Sequence, residues 1–515
     1  MPITVTQGAV NTTNLQVPGL SVGIIPPQPI TLNGTPTNIA GFVGTASYGP
    51  VDTAVQVQGY AGYSGVMGPV INRANDLGTA VSIAGQQGCT NAYVVRVTDG
   101  TDTAASAKFG VVSANDALML TAKYTGSAGN AFTATIQASQ YPNAVRVLLY
   151  NGMAQPELFD NIPNSTPLAF WTALALAINN GNTAQRPASQ YFTATLGTLT
   201  TTAIPSAGTT LALTGGTDGV AAITSSILVG VDGNANTRTG MYALRGTGAS
   251  WGGLVDCSDD TTWPTQLAFG LSALILMVTC GPSGSTLASA VSTAANGAAG
   301  YGLKIMFGDW LSWLDTVNNI VRVVSPIAFV VGRGANLPPN YSTLNQQVYG
   351  IVGSQFAASG LIYTYDDLLE LVEAGYDVIT PPGQGPGNLP IWCCATGLNS
   401  NFNPAANGDN YSTMTNFLAG TIAAVGGLAQ FLGQPITPQL MATEVGVLDA
   451  YMQSLQDNPG NPLIQGFQNT ITNPAPGVTA ISSQVTYLQI NREIVVNLQG
   501  GQTVLIQVQS SAPGQ

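Results

Sequence analysis

The sequence predicts an α/β protein (α+β overall) of several domains: an α/β core, a β-rich domain inserted into it, and extended β arms at both ends. Three observations carry this reading. After about Ile223, continuous apolar runs alternate with helical windows, the pattern of strands buried on both faces with helices between them. Between about residues 100 and 217 the chain turns rich in Thr, Ser and Ala, with short alternating runs. The two ends alternate apolar and polar residues with too little nearby chain to bury them.

Residues 1–30 form the first arm: Ile3 and Val5 alternate with polar neighbours, and Pro18, Pro26, Pro27 and Pro29 exclude helix. The core opens at residue 31 with a strand at NIAGFVG (38–44), a short helix over 74–84 and a strand at NAYVVRV (91–97). The inserted domain spans 101–219. Its strands are LMLTAKY (118–124), AFTATIQA (131–138) and VRVLLY (145–150), its helix is 167–180 with Pro167 in the first turn, and 203–219 is the return linker. The core resumes at 220 and runs to 483. Strands are expected at ILVGV (227–231), SALILMVTC (272–280), LKIMF (303–307) and IAFVVG (327–332), and helices at 286–299, 365–374, 413–432 and 438–456. Thr364 caps the second of these helices, with Asp366 and Asp367 in its dipole-favoured first turn.

The last segment, 484–515, is a hairpin arm. EIVVNL and TVLIQVQ flank QGGQ, where Gly500 and Gly501 supply the positive φ of a tight turn. Ile494, Val496 and Leu498 share one face, and Val504, Ile506 and Val508 share one face of the partner strand. A lone hairpin is marginal in water, so these six residues, with Ile3 and Val5 at the other end, are the candidates for strand exchange between copies.

The chain carries 12 Lys plus Arg and 24 Asp plus Glu, 7% charged, where about 25% is usual for a soluble protein. Much of its surface is therefore expected to face other protein. A net charge of −12 without any basic cluster excludes nucleic acid and anionic membrane as partners. Arg73, Arg96, Arg322 and Arg333 are available to pair with acidic residues of a partner. MPITVTQGAV is not a secretory signal, so synthesis and first residence in a cytoplasm are expected. Phe417 to Leu432 is short of the roughly 20 residues a membrane span needs and holds three glycines, so a helix packed inside protein is expected.

There is no histidine, which removes Ser-His-Asp and Cys-His nucleophiles and His-ligated zinc. No catalytic residue, metal site or cofactor is expected. Asp256, Asp259 and Asp260 lack the full calcium-loop pattern and read as a solvated turn. Asp366, Asp367, Glu370 and Glu373 read as an exposed helix face. GQGPG (383–387) has no following Lys to cradle a phosphate, and GTDG (216–219) is turn chemistry. The five cysteines have no metal or disulfide-framework spacing and read as reduced, buried side chains. Alternation in a strand turns one of Cys393 and Cys394 outward, which leaves a cross-link between subunits open as a second role.

Several stretches carry a resemblance. VPGLSV (17–22), GFVGTASYGP (41–50) and NAYVVRV (91–97) resemble, in order and spacing, the N-terminal region of bacteriophage contractile-tail sheath proteins. TAKYTGSAGN (121–130) is similar to that family's turn at the start of its inserted domain, and ELFDNI (157–162), LTGGTDG (213–219) and RTGMYAL (238–244) continue the resemblance. Beyond Leu244 it rests on the α/β pattern and the terminal strands, and Cys393 and Cys394 depart from it.

The resemblance implies a homo-oligomer of stacked hexameric rings in a virion tail, assembled in the host cytoplasm. It implies an inner tail tube inside the rings, baseplate and tail terminator or neck proteins at the ends, and terminal arms that complete a β-sheet shared with neighbouring subunits. Contraction then releases energy held in a metastable extended lattice and drives the tube through the target envelope during genome delivery. A phage-derived injection machine, a secreted surface-layer protein and an α/β enzyme are the alternatives. The missing signal peptide disfavours the second, and the missing histidine disfavours the third.

Overall fold

The structure is a computed structural model that describes residues 3–7, 20–24, 34–112, 115–152, 155–181, 186–235, 237–294, 298–359, 362–381, 391–403, 405–424, 428–492, 494–499 and 505–510. It divides into two compact units, Met1–Gly34 with Thr421–Leu488 and Thr35–Gly420 with Gln489–Gln515.

The larger unit is built on a seven-stranded sheet. In spatial order the strands are Tyr376–Asp377, Leu303–Met306, Leu276–Cys280, Trp251–Leu254, Ala40–Gly44, Asn91–Arg96 and Ala54–Gln58. Neighbours run parallel except at the edge strand Ala54–Gln58, which is antiparallel. Successive residues of a strand face opposite ways, and here both faces are covered. Phe42, Val94, Trp251 and Val278 pack in one core with helices Leu77–Gln86 and Ile327–Ala335. Val43, Val95, Leu254 and Met277 pack in another with Trp263 and Phe269 of helix Trp263–Ala273 and Leu371 of helix Tyr365–Glu373. Thr364 caps the latter helix in a reciprocal pair with Asp367, as expected.

Two runs expected as strands are helices. In Ile327–Ala335 every residue but Arg333 is buried, so the run shows no periodicity to distinguish helix from strand. Gly332 lets this helix approach Leu77–Gln86 closely, since a Cβ there would lie 2.6 Å from the Ala84 Cα. The run at 227–231 contributes to a short helix, Ser225–Val229, ended by Gly230 at φ 71°. The helix expected over 413–432 is instead helix Asp409–Ala423 followed by a 3-10 turn, Leu428–Phe431.

The segment after Val97 adds two antiparallel sheets. One is ordered Glu157–Pro163, Ala144–Tyr150, Thr133–Ala138, Thr210–Ala212; the other is Phe192–Leu196, Leu118–Ala122, Ser106–Phe109. Helix Pro167–Asn180, capped by the Thr166 hydroxyl on the Ala169 N–H, buries Phe170, Trp171, Leu174 and Ile178 against Phe132, Phe159 and Phe192. The expected return linker is part of this structure, because Thr210–Ala212 pairs with Thr133–Thr135. A further sheet, Ile320–Val324, Leu311–Asp315, Ile351–Ser354, was not foreseen. At the C-terminus, Ile494–Gln499 pairs antiparallel with Leu505–Ser510, bringing Val496 opposite Val508 and Leu498 opposite Ile506. Val504, Gly500 and Gly501 lie outside the described residues.

In the smaller unit, helix Pro438–Gln456 is capped by Thr437 and buries Glu444, Leu448, Tyr451, Met452 and Leu455 as one stripe. A long hairpin, Ile464–Ala475 with Val478–Tyr487, turns at Gly477 at φ 79°. Ile3–Gln7 pairs in parallel with Leu20–Ile24. The first strand therefore has an intrachain partner, where the sequence left it with none.

Candidate functional site

Four of the seven stretches that carry the resemblance converge on one place. They meet where the chain leaves the core sheet at Arg96 and returns near Gly219. The Arg96 side chain is fully buried; one guanidinium nitrogen donates to the Gly49 carbonyl at 2.7 Å and the Thr125 carbonyl at 2.6 Å, and the other to the Asp218 carbonyl at 3.2 Å. Burial lowers its pKa, and the negative charges of Asp102 and Asp218 oppose that. Asp218 in turn accepts the Ser127 N–H at 2.6 Å and pairs with Arg73 at 2.5 Å, and Arg73 also reaches Asp76, the cap of helix Leu77–Gln86.

Backbone contacts complete the joint. Gly126 passes so close to Ser47 that a Cβ would lie 2.1 Å from the Ser47 carbonyl oxygen, and the Ala128 N–H donates to that same oxygen at 3.0 Å. Asn130 exchanges two hydrogen bonds with the Gly216 backbone, at 3.0 and 2.8 Å. Tyr48 inserts its ring against Phe132 and donates to the Tyr191 carbonyl at 3.2 Å. Sequence reading found these motifs and missed their purpose: GTDG is more than a turn, because its aspartate ties Arg73 and Ser127 together. The Arg96 pairing was not legible, since Gly49, Thr125 and Asp218 lie 47, 29 and 122 residues away.

A second buried network lies at the edge of the core sheet. The Lys304 ammonium, fully buried, gives its three protons to Asp377 at 2.6 Å, the Leu398 carbonyl at 2.8 Å and Asp409 at 3.2 Å. Asp377 also accepts the backbone N–H groups of Val378, Thr396 and Gly397. Burial pushes Asp377 up, but the Lys304 charge and these donors outweigh it and hold the carboxyl below its ordinary range. For Lys304 burial acts downward, and its two carboxylate partners reverse the sign and raise it.

The arginines expected to face a partner are taken within the chain. Arg73 and Arg96 sit in the joint, Arg322 pairs with Asp315 at 2.9 Å, and Arg333 donates to Gln346. Arg73 and Arg322 thereby neutralise Asp76, Asp218 and Asp315, which would cost more left unpaired than a surface pair returns. The cysteines are reduced and buried, as expected, but the outward turn of one of Cys393 and Cys394 is not seen. Cys393 and Cys394 are both buried, at 2% and 1% exposure, because the strand Trp392–Cys394 is covered on both faces. All five thiols are free, and burial pushes Cys393 up to about 12.

The acidic groups serve the fold. Asp256 accepts the Asn75 and Ser325 N–H groups, and Asp259 caps the turn Asp260–Thr262. Among the described residues no three His, Cys, Asp or Glu side chains converge to hold a metal, and no helix is long and apolar enough to cross a membrane. GQGPG lies outside the described residues.

What remains open is backbone. Among the described residues, the pair Ile3–Gln7 with Leu20–Ile24 and the pair Ile494–Gln499 with Leu505–Ser510 are each two-stranded, so each leaves a row of N–H and C=O groups along both outer edges. Ile494 is 67% exposed. Such edges can accept a further strand.

No family model matches the chain, and no curated protein matches its sequence. Solved structures do. The sheath tail protein of Desulfitobacterium hafniense aligns with 90% of this chain and 99% of its own length at 15% identity and a TM-score of 0.54. The sheath tail protein of Listeria innocua aligns with 93% and 96% at 14% identity and 0.60. The contracted PVC sheath complex of an extracellular contractile injection system aligns with 96% and 99% at 10% identity and 0.51. The chain has the multidomain α/β fold of these sheath proteins.

Proposed function

We propose that this protein is the structural subunit of a contractile sheath, without catalytic activity, that polymerises around an inner tube and shortens to drive the tube through a target envelope. The observation that carries the proposal is the correspondence, over 93% of the chain, with a protein whose fold serves as a tail sheath. In this reading residues 101–219 are the protruding domain, 31–100 with 220–483 the core, and 1–30 and 484–515 the arms. Ile3, Val5, Ile494, Val496, Leu498, Val504, Ile506 and Val508 lie in the strands that neighbouring copies share. A baseplate and a terminator close the two ends of the polymer, and the particle is a tail or a tail-derived injection machine. Six residues of strand addition offer up to about six hydrogen bonds at roughly 1 kcal/mol each, enough to keep neighbours linked while their bodies move.

The test is negative-stain microscopy of the overexpressed chain. Striated hollow tubes or stacked rings are expected; a monodisperse monomer at every concentration refutes the proposal. Truncation after Gln489 should abolish the tubes and leave a folded body with unchanged circular dichroism.

A further inference from the structure

The buried stripe of helix Pro438–Gln456 contains one residue that breaks its own rule. Leu448, Tyr451, Met452 and Leu455 fill it with apolar surface and one phenol, but Glu444 occupies the same stripe at 6% exposure. Its Oε2 atom has no hydrogen-bond partner among the described residues. A buried carboxylate oxygen without a donor is costly, and such a cost persists where the group has work to do.

Glu444 lines an open groove of about 400 Å³. Phe431, Leu432, Ile436, Leu440 and Ile481 line it with apolar surface. Leu432 stands at the rim, 82% exposed. The groove thus pairs one unmatched negative charge with apolar walls. A metal ion is a poor match, because Glu444 is the one acidic side chain in the lining among the described residues.

We propose that this groove receives a Lys or Arg side chain from another polypeptide, with the cation on Glu444 and the methylene stem and flanking apolar residues against Leu432 and Ile436. The donor is a different protein from this one. Of 12 basic side chains here, Arg73, Lys108, Arg186, Arg238, Arg245, Lys304 and Arg322 are in internal ion pairs, Arg96 is buried, and Arg333 and Arg492 donate to Gln346 and Asn407, which leaves Lys123 and Arg146 as the cations a second copy has to offer. The proposal does not depend on the sheath reading, and its readout does not involve assembly.

The test uses two fluorescein-labelled pentapeptides, Ala-Leu-Arg-Leu-Ala and the same peptide with neutral citrulline for arginine, titrated into the full chain and followed by anisotropy. The arginine peptide should bind at least tenfold more tightly than its citrulline analogue. Glu444→Gln, which keeps the side chain's shape, should erase that difference. Leu432→Ser, at a position too exposed to affect folding, should weaken both peptides alike. Equal binding of the two peptides to the unaltered chain overturns the proposal, as does a preference for arginine that survives Glu444→Gln.

Discussion

Replacing Lys304 by Met removes the cation from the sheet-edge network and keeps most of its volume. Asp377 and Asp409, both fully buried, then lose the cation they share. Breaking a buried pair from one side costs about 3–5 kcal/mol. Asp377 keeps three backbone donors and Asp409 keeps the Thr343 N–H and hydroxyl, which places this case near the middle, about 4 kcal/mol. With an m-value of about 3 kcal/mol/M or more for a unit of this size, the urea midpoint falls by about 1 M. The dependence on pH should change as well. In the unaltered chain Asp377 is depressed, so its contribution is present above its unfolded pKa of about 3.9 and is lost as pH falls through the lower folded value. In Lys304→Met, the desolvation that already acts upward on Asp377 is no longer outweighed, so stability is greatest below about pH 4 and declines toward pH 7, at up to about 1.4 kcal/mol per pH unit. Urea unfolding followed by tryptophan emission at pH 4, 5.5 and 7 reads both effects. The triple variant Lys304→Met, Asp377→Asn, Asp409→Asn should recover at least half the loss. A single variant that loses under about 1 kcal/mol and is indifferent to pH refutes the view that the three charges act as a unit.

Asp218→Ala deletes the Arg73 pair and the Ser127 hydrogen bond, so a loss of about 1–3 kcal/mol is expected. Limited proteolysis should then cut near 99–103 or 217–222; cleavage unchanged from the parent chain counts against the joint. The five thiols should ignore iodoacetamide at pH 8 in the folded chain and all react in urea, because burial both shields them and keeps them protonated. Labelling of the folded chain at one full equivalent would contradict this.

Some of the architecture was open to reading because local signals agreed with it. Thr166 before Pro167 and Thr437 before Pro438 mark two helix starts to the residue, and Thr364 marks a third. Ile327–Ala335 was unreadable for the opposite reason: burial on all sides erases the period on which the distinction depends. The hairpin 464–487 escaped because its strands are mostly polar: exposure alternates from Phe467 to Thr472, but Asn469 stands between Phe467 and Ile471 on the half-buried face and breaks the apolar pattern. At the joint, the motifs were visible as strings, but the pairing of Arg96 with carbonyls far away in sequence follows from topology alone. Glu444 was invisible because one acid in a polar helix is unremarkable until its neighbours are known.

The joint also bears on how a pull on residues 101–219 would reach the sheet. Arg96 is the last residue of a strand flanked on both sides, by Ala40–Gly44 and by Ala54–Gln58. A pull along that strand's axis acts at right angles to the hydrogen bonds of its two ladders. Those bonds must shear together and cannot be peeled one at a time. The buried Arg96 guanidinium sits at the end of that strand, tied to the Gly49, Thr125 and Asp218 carbonyls.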